Sequence, residues 1–494
     1  MKNAKPVLNF NSFINEAKDE SQIEILILSG DSKPSKTSKS FLEECEKRGI
    51  VCNVVDVNKV TLEKIYNGHI VREQNGDADA REILIKPETT AIIPRRGVIG
   101  NSYTKQVMRD LEQSRYFCVN SLESIEVCES KYLTSKVLEN EGLPVPKYSL
   151  VNGEESLDRA LEEIGGKFPV VMKLLSGTQG IGVSIVDSYA SLKSVYQTIA
   201  KLNPESEILI QEKIDSDFDI RIQVIVKKFD PLNQDGSNCI ILGSMKRQAV
   251  EKDFRTNYSL GGEVSSYEID DNLAKIACDA ANSVGCHWCG VDIMIDSETG
   301  NPYILEVNSS PGTEGISQAI GRPIVDDVIN YVVDKNNWSF TKMEVGYLES
   351  IEVPKLGKMI AKFDTGNGST ASSIHADSME EKDGILYWSV GENNFEDEII
   401  GYTKTEVGRD TEERPIIKLD IIFNGVKIPG VKVAPTSREQ KSTPFLANRV
   451  LMKKLGVMVN PHKAFVSSEP MDGYKPMEAK GDPYGGIDFS TSDI

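Results

Sequence analysis

The sequence has few basic residues for its length. Its 494 residues contain 56 lysines and arginines against 75 aspartates and glutamates, so the formal net charge is −19 and the pI is near 4.9. Proteins that bind nucleic acid, or the anionic surface of a membrane, do so through a basic face. The composition therefore argues against both kinds of partner, and we expect no direct contact with nucleic acid or membrane.

Long apolar runs and targeting signals are also lacking. No run approaches the roughly 18 residues that a membrane-spanning helix needs, and residues 1–20 are too polar for a secretory signal. The eight cysteines are spread along the chain, unlike the disulfide framework of a small secreted protein. We expect a cytoplasmic protein with roughly three domains of ordinary size.

The first region, residues 21–120, predicts an α/β domain of mononucleotide-binding style behind a polar leader at residues 1–20. Two apolar strands flank a helical pattern through Phe41 and Cys45, which is the order of a parallel βαβ unit. A third strand and a second helix follow. The predicted elements are strands at 23–28, 51–56 and 90–94 and a helix near 105–113.

The second region, residues 121–335, predicts further strands and helices on both sides of a hinge-like segment rich in Gly and Pro at 142–146. A glycine-rich loop follows one of its strands, and two acidic strands follow its long helix. The predicted elements are strands at 169–174, 208–212, 220–226, 240–245, 291–295 and 302–307 and a helix at 273–284.

The glycine-rich loop begins after Lys173, which ends a predicted strand. Gly177, Gly180 and Gly182 allow backbone N–H groups to approach phosphate oxygens, and the lysine supplies a cation for them. A tight β-hairpin uses similar glycines, so both interpretations stay open from this segment alone.

Two apolar strands carry a cluster of oxygen ligands. Glu306 and Asn308 are two residues apart on one strand and face the same side, and Asp292 lies on another strand. Such a set suits Mg²⁺ that is held partly by substrate phosphates. The alternative is ordinary alternation on a half-solvated sheet, which explains poorly an acid flanked by Ile, Leu and Val.

Arginines are concentrated in a short span of this acidic chain. Arg221, Arg247 and Arg255 suit bidentate recognition of carboxylate or phosphate. A surface ion-pair network is the alternative.

Together these motifs resemble the ATP-grasp superfamily and, most closely, its RimK-type glutamate ligases. The resemblance covers roughly residues 21–330. The motifs stand in the family's order, and a short loop before Asp219 and an insertion at 227–238 depart from the family's pattern. The matching motifs are Pro94-Arg95, residues 141–146, Lys173 with its glycines, and residues 211–214, 219–221, 245–249, 254–257, 261–262, 290–293 and 305–312.

The resemblance implies a role for each matching residue. Arg221 and Arg247 are the candidates for gripping substrate carboxylates. The other implied roles are Lys131 and Lys173 at the ATP phosphates, Glu212 and Lys213 at the adenine, Asp219 at the ribose, Arg255, Thr256 and Asn257 on the phosphate side, and Asp292, Glu306 and Asn308 as magnesium ligands.

The activity implied by the resemblance is ATP-dependent ligation. Such enzymes activate a carboxylate as an acylphosphate, which an amine then attacks, and RimK-like members add glutamate to a small-subunit ribosomal protein or to small carboxylate cofactors. The expected cofactors are ATP and two Mg²⁺ ions, for which Mn²⁺ can substitute. The expected substrates are glutamate or a similar amino acid and an acceptor peptide or protein C-terminus, such as that of a ribosomal protein.

From about residue 345 the pattern changes to short strands separated by Gly, Asn and Pro, which predicts an all-β domain. One apolar strand ends in Asp364-Thr365-Gly366, a turn that in aspartic proteases presents the carboxylate that activates water, although the same tripeptide also makes ordinary turns. Residues 467–494 are rich in Gly, Pro and Ser and predict a disordered, acidic tail.

Residues 345–466 resemble a retropepsin-like family that is related to RimK and labelled as ATP-dependent zinc proteases. Asn367 and Asn448 depart from its pattern, and four scattered histidines without an H-E-x-x-H motif give no support for zinc. A single D-T-G requires two chains, each giving Asp364, so an active protease implies a homodimer at least. The matching segments are 364–366, 372–376, 414–417 and 447–451.

The fold prediction is therefore α/β followed by all-β. It consists of an ATP-grasp fold with an N-terminal α/β pre-ATP-grasp domain, then a small retropepsin-like β domain that trims or binds the product. The alternatives are an aspartic-type peptidase with the ATP-grasp half as a nucleotide-dependent regulator, and a non-catalytic scaffold. The predicted boundaries are 1–20 leader, 21–120 pre-ATP-grasp, 121–335 catalytic, 345–466 retropepsin-like and 467–494 tail.

Overall fold

A computed structural model describes most of the chain. The predicted leader, most of the glycine-rich loop, the insertion and the motif with Arg255, Thr256 and Asn257 lie outside the described residues, as does the tail from residue 472. The described residues are 22–65, 68–74, 80–175, 182–202, 207–227, 239–248, 263–339, 343–407, 410–424, 426–439 and 441–471.

The N-terminal unit contains a parallel sheet in the order β2-β1-β6-β7, which confirms the predicted βαβ unit. All residues of β1 are buried, as expected of a strand that has neighbours on both edges and is covered on both faces. The antiparallel sheet β3-β4-β5 was not predicted. The elements are β1 (Glu24–Ser29), α1 (Lys36–Lys47), β2 (Cys52–Asp56), β3 (Val60–Ile65), β4 (Gly68–Glu73), β5 (Arg81–Ile85), β6 (Thr90–Pro94), α2 (Ser102–Gln113) and β7 (Phe117–Cys118).

Helix α1 joins this unit to the rest of the molecule. Ser35 caps its start by accepting a hydrogen bond from the Ser38 N–H at 3.1 Å. Phe41 and Cys45, four residues apart, are fully buried on one face. The Phe41 ring meets Trp288 edge-on, with 5.9 Å between ring centroids, so the N-terminal unit packs directly on the strand that carries Trp288.

A smaller antiparallel sheet follows, in the order β10-β9-β11-β8. Its hydrophobic core lies between the sheet and two helices, one that follows β8 and one that follows β10. The predicted strands at 169–174 and 208–212 are confirmed within it. The elements are α3 (Leu122–Glu129), α4 (Lys131–Asn140), β8 (Tyr148–Val151), α5 (Leu157–Glu163), β9 (Val170–Leu174), β10 (Val183–Val186), α6 (Tyr189–Leu202) and β11 (Ile208–Glu212).

The central sheet is antiparallel, in the order β14-β13-β12-β15-β16. Because successive side chains of β12 point to opposite faces, the two faces of the strand pack against different elements. Ile220, Ile222 and Val224 pack against α7, while Ile225 packs with the N-terminal unit and α9. The elements are β12 (Phe218–Val226), β13 (Cys239–Gln248), β14 (Glu263–Ser266), α7 (Asp271–Ser283), β15 (Trp288–Ile295), β16 (Pro302–Asn308), α8 (Glu314–Ile320) and α9 (Val325–Val333).

The C-terminal unit is rich in strands, as the sequence predicts, with a hydrophobic core of its own. Its main sheet has the order β18-β19-β27-β20-β26-β25-β24. The short helix α10 was not predicted. The elements are β17 (Met343–Gly346), β18 (Leu348–Val353), β19 (Gly357–Phe363), β20 (Ser372–His375), β21 (Ser378–Lys382), β22 (Ile385–Val390), β23 (Asn393–Glu398), β24 (Gly401–Val407), β25 (Asp410–Phe423), β26 (Val426–Thr436), β27 (Phe445–Ala447), α10 (Arg449–Leu455) and β28 (Val457–Asn460).

Several cysteines and His287 lie in the core of the described ranges. Cys239 and Cys278 form a disulfide, one pair rather than a framework. Cys286 and Cys289 are buried, and the His287 ring between them meets the Tyr331 hydroxyl at 2.7 Å. No group of three or more His, Cys, Asp and Glu side chains is close enough to hold a metal ion in the described part. No described helix is long and apolar enough to cross a membrane.

Candidate active site

Strand register aligns the candidate metal ligands with one arginine. Arg221 on β12 is directly opposite Asp292 on β15, and Asp292 is directly opposite Glu306 on β16. Side chains at directly opposed positions point to the same face of a sheet. The three side chains therefore form a row across adjacent strands.

Asp292 is held by two guanidinium groups. Arg221 donates from Nε and Nη2 to its two carboxylate oxygens, both at 2.6 Å, and Arg247 Nη2 donates to Oδ2 at 2.6 Å. Arg247 also donates to both oxygens of Asp219, at 2.5 and 2.7 Å. One buried network thus joins both arginines predicted to grip substrate carboxylates to a predicted metal ligand and to the predicted ribose ligand.

Because this network is buried, breaking one of its ion pairs costs considerable stability. Asp292 and Arg247 are each only 2% exposed, and Asp219 is 3% exposed. Burial alone opposes ionisation of Asp292, but Arg221 and Arg247 outweigh it and hold the pKa of that carboxyl well below its usual range. Both arginines therefore meet a permanently charged acid.

Glu306 differs from Asp292 in its exposure. Its side chain is 47% exposed, against 3% for Asp292, and it accepts one hydrogen bond from Arg221 at 3.3 Å. Partial desolvation and the neighbouring Asp292 carboxylate raise its pKa. Glu306 is therefore the acid of this row that a ligand can reach from solvent.

The donor set fits a hard divalent cation. Asp292 and Glu306 offer carboxylate oxygens from adjacent strands, and Asn308 adds an amide oxygen that accepts the Ser310 N–H at 2.9 Å. Oxygen ligands of this kind suit Mg²⁺, which keeps several waters or substrate oxygens.

Two lysines act electrostatically on the same acid. Lys173 lies on β9 and Lys131 begins α4, and both interact with the charge of Glu306. Burial lowers the pKa of Lys173 to about 8; Glu306 opposes this shift and Lys131 adds to it. Burial likewise lowers the pKa of Lys131. Such a pair of cations beside a metal site suits the binding of phosphates.

The predicted adenine residues lie at the end of the smaller sheet. Glu212 ends β11, and its Oε1 accepts the Lys147 N–H at 2.7 Å, while the Glu212 N–H donates to Lys147 O at 2.9 Å. Lys213 pairs with Asp215 at 2.9 Å. These contacts fix the start of the segment between β11 and β12, where β11 ends.

Side chains that the sequence analysis did not single out hold the loop after β16. Asn120 Nδ2 donates to Ser309 O at 2.8 Å, Arg95 Nη2 donates to Pro311 O at 2.8 Å, and Gln223 Nε2 donates to Gly312 O at 2.7 Å. We call these three side chains the carbonyl clamp. Pro94-Arg95 was noted only as part of a motif, and nothing in the pattern around Asn120 or Gln223 signals this role.

Asp364 lies apart from these residues, in the C-terminal unit. It follows β19, and its Oδ1 accepts the Gly366 N–H at 2.9 Å. Asn448, which stands where its resemblance expects glycine, caps α10 by accepting the Leu451 N–H at 2.9 Å. Asn448 thus has a structural function of its own, which glycine lacks.

Comparison with known proteins identifies the central part of the chain. A family model described as the RimK-like ATP-grasp domain matches residues 128–332. A probable alpha-L-glutamate ligase 2 of Pseudoalteromonas atlantica is 32% identical over 322 residues, which cover 65% of this chain and 98% of the relative. The chain belongs to the RimK-like ATP-grasp family. A second relative, the probable alpha-L-glutamate ligase of Vibrio atlanticus, is 31% identical over 63% of this chain and 95% of its own length.

Solved structures similar to this RimK-like chain include two peptide complexes. The ATP-grasp ligase PsnB with its minimal precursor is 18% identical, with a TM-score of 0.46, over 63% of this chain and 98% of that one. The macrocyclase MdnC of Microcystis aeruginosa MRC, bound to precursor peptide MdnA, is 16% identical, with a TM-score of 0.48, over 63% and 100%.

Family membership confirms the coarser predictions. The chain has the RimK-like ATP-grasp domain of an ATP-dependent ligase, a family that uses ATP with Mg²⁺. The matched region ends at residue 332, so a retropepsin-like unit at residues 345–466 stays a prediction. The roles of individual residues stay predictions as well.

Proposed function

We propose that this protein is an ATP- and Mg²⁺-dependent carboxylate–amine ligase that adds glutamate to the C-terminus of a peptide or protein. The observation that carries the proposal is the row of Arg221, Asp292 and Glu306 across three adjacent strands, with Arg247 buried behind it. The names of the relatives, probable alpha-L-glutamate ligases, support the choice of glutamate.

The reaction has two balanced steps. An acceptor carboxylate attacks the γ-phosphorus of ATP, which forms an acylphosphate and releases ADP. The amine of glutamate then attacks the acyl carbon, which forms the amide and releases inorganic phosphate and a proton. Asp292, Glu306 and Asn308 would hold magnesium, which would neutralise charge on the transferring phosphoryl group.

The remaining residues orient and neutralise the reactants. Lys131 and Lys173 are assigned to the ATP phosphates, because both lysines interact electrostatically with Glu306. Arg221 and Arg247 keep Asp292 ionised and are the candidates for substrate carboxylates. The remaining assignments are Glu212 and Lys213 at the adenine, Asp219 at the ribose, and Arg255, Thr256 and Asn257 on the phosphate side.

Ligation is tested by incubating the protein with ATP, Mg²⁺, glutamate and a panel of acceptor peptides. We expect ADP release and growth of one acceptor in glutamate-sized mass steps. Asp292→Asn removes a charge that the site requires, and we expect ADP release to fall at least about a hundredfold. Asp271→Asn, the same change at an exposed position in the first turn of α7, is the matched control. ADP release that survives Asp292→Asn would contradict the proposal.

For the C-terminal unit we propose binding or trimming of the glutamylated product by a retropepsin-like domain at residues 345–466. The support is Asp364, partly exposed at the end of β19 with its carboxylate held by the Gly366 N–H. An active site of this kind needs Asp364 from two chains, hence a homodimer. The alternative is an aspartic-type peptidase with the ATP-grasp half as a nucleotide-dependent regulator.

These options are separated by following a synthetic polyglutamylated peptide by mass spectrometry. Shortening of the peptide that Asp364→Ala abolishes, and that Glu392→Ala at an exposed turn does not, supports trimming. Retention of the peptide without cleavage supports binding. If the protein never ligates glutamate but cleaves the peptide at a rate that depends on ATP, the result favours the nucleotide-regulated peptidase.

A further inference from the structure

The loop that follows β16 is the structural link between the N-terminal unit and the proposed metal site. It begins at Asn308, which ends β16, and continues to Thr313 at the start of α8. A ligand at the end of a strand is only as well placed as the loop that continues from it. Outer contacts that orient a metal ligand therefore matter almost as much as the ligand itself.

The carbonyl clamp fixes this loop from three directions. Asn120 follows β7, Gln223 lies on β12, and Arg95 directly follows β6 of the N-terminal unit. The three side chains are 0%, 0% and 6% exposed, so water does not compete for the carbonyl groups. Of the three residues, Arg95 alone follows an interior strand of the N-terminal sheet. It is also the only one that carries a charge.

Arg95 is poorly explained as a stabilising residue. Its guanidinium lies 5.0 Å from the centre of the Trp288 ring and donates from Nη2 to Pro311 O at 2.8 Å, with a weaker contact of 3.5 Å to Ser310 O. Its Nε and Nη1 are buried and have no hydrogen-bond partner in the described residues. Burying a cation with unpaired donors costs stability. A requirement of the site explains its burial there better than stability does.

We propose that Arg95 is a positioning residue for the metal site: by holding the carbonyl groups of Ser310 and Pro311, it sets the position of Asn308. The proposal rests on the function proposed above, since it takes Asn308 as a metal ligand. It makes the N-terminal unit part of the metal site, through a residue that touches neither metal nor nucleotide.

A second contact between the same two parts agrees with this placement. Thr37, in the first turn of α1, accepts the Thr313 N–H at 3.2 Å and donates to Glu314 Oε1 at 3.2 Å. Both ends of the 308–313 loop are thus tied, one by the clamp and one by α1. A shift of the N-terminal unit therefore moves Asn308 rather than being absorbed by a slack loop.

The test is Mn²⁺ binding in the presence of saturating ADP, measured by electron paramagnetic resonance without glutamate or acceptor. For Arg95→Met, which keeps the length and the apolar stem but removes every donor, we expect the dissociation constant for Mn²⁺ to rise about tenfold or more. ADP affinity in the presence of a chelator stays within about twofold, and the melting temperature stays within about 4 °C. Arg72→Met, the same change at a half-exposed position of β4, is the control.

A purely structural role gives the opposite pattern. A Mn²⁺ dissociation constant within about twofold of the wild-type value, in a folded Arg95→Met protein, overturns the proposal. If that variant fails to fold, Arg95→Lys decides, because one ammonium group cannot span two carbonyl groups and stack on Trp288 as a guanidinium does. A raised Mn²⁺ constant in the lysine variant supports the proposal and a wild-type constant overturns it.

The outcome is separable from that of the proposed function. A wild-type protein that binds Mn²⁺ with ADP but never lengthens an acceptor contradicts the ligase proposal and leaves the role of Arg95 standing. A protein that ligates glutamate while Arg95→Met binds Mn²⁺ normally contradicts only the role of Arg95.

Discussion

Arg247 Nη2 lies 2.6 Å from Asp292 Oδ2, and both side chains are almost completely buried. Because Arg247 also binds Asp219, one guanidinium joins acids from two different strands of the central sheet. Buried ion pairs of this kind contribute little net stability relative to apolar residues. Removing one partner nevertheless costs stability, because the other charge then stays buried without compensation. The site therefore depends on the complete network.

Removal of the Arg247 side chain is expected to destabilise the protein. Arg247→Met removes the guanidinium that binds both Asp219 and Asp292 in the buried network, and we expect a loss of about 3–5 kcal/mol in the free energy of unfolding. Chemical denaturation followed by tryptophan fluorescence measures it. In the double variant with Asp219→Asn the losses should be less than additive. A loss below about 1 kcal/mol for the single variant contradicts the network.

ATP binding is expected to weaken as the pH rises through the pKa of Lys173. Burial lowers that pKa to about 8, so the free protein loses this charge above that pH, whereas bound phosphate favours the charged form. The dissociation constant for ATP, measured by calorimetry with a chelator, should rise by up to about tenfold per pH unit above that value. Below it the lysine is already charged and the dependence disappears.

The control for this prediction is Lys173→Arg. Arginine stays protonated over the whole range, so the pH dependence above about 8 should flatten. Lys33→Arg, at an exposed loop position, should keep the wild-type profile. A wild-type profile in Lys173→Arg would show that another group titrates.

Asn120→Asp is expected to be strongly destabilising although it changes only one atom. The amide makes four hydrogen bonds: it donates to Ser309 O and Trp288 O and accepts the N–H groups of His287 and Trp288. A carboxylate replaces two donors by an acceptor that faces two carbonyl oxygens, at a fully buried position. We expect a loss of at least about 2–3 kcal/mol in the free energy of unfolding. Asn152→Asp, at an exposed position, should be nearly neutral.

Glu349 is expected to hold the chain segment that leaves the C-terminal unit. Its buried carboxylate accepts hydrogen bonds from the N–H groups of Gly346, at 2.6 Å, Val466, at 2.9 Å, and Ser467, at 3.3 Å. Glu349→Gln weakens these charge-assisted bonds and turns one acceptor into a donor. Hydrogen exchange at residues 465–470 should accelerate by about tenfold or more, with little change in β12.

The matched change Glu380→Gln, on the exposed strand β21, should leave that exchange pattern unchanged. Equal exchange at residues 465–470 in the Glu349→Gln variant and the wild type would mean that other contacts retain the segment.

Several predictions from sequence were confirmed because they depend on local pattern. The apolar runs that became β1, β9 and β15 are strands: β1 is fully buried, β15 is buried except at its end, and β9 is partly buried. The two-residue period placed Glu306 and Asn308 on one face before any pairing was known. By contrast, the sheet β3-β4-β5 has a mixed, largely polar pattern and was missed, and α10 is a helix of seven residues that tertiary contacts stabilise.

The predicted arginine roles show where local pattern stops. The sequence analysis predicted that Arg221 and Arg247 recognise carboxylate or phosphate, with a surface ion-pair network as the alternative. The structure pairs both with Asp292, because strand register brings positions 221 and 292 opposite each other across 70 intervening residues. The observed contacts are ion pairs, but in a buried network rather than the surface network of the alternative, and recognition of a substrate by the same groups stays a proposal.

The scarcity of basic residues and the ordered motifs determined, from the sequence by itself, which partners to exclude and which ligase family to expect. The sequence also predicted the kind of candidate metal ligand, carboxylates and an amide on apolar strands. That prediction depends only on residue type and on the two-residue period of a strand. Tertiary structure alone decided that Arg95, Asn120 and Gln223 hold three carbonyl groups of the loop that follows Asn308. The reason is physical: a hydrogen bond to a backbone carbonyl leaves no mark on the sequence of the acceptor.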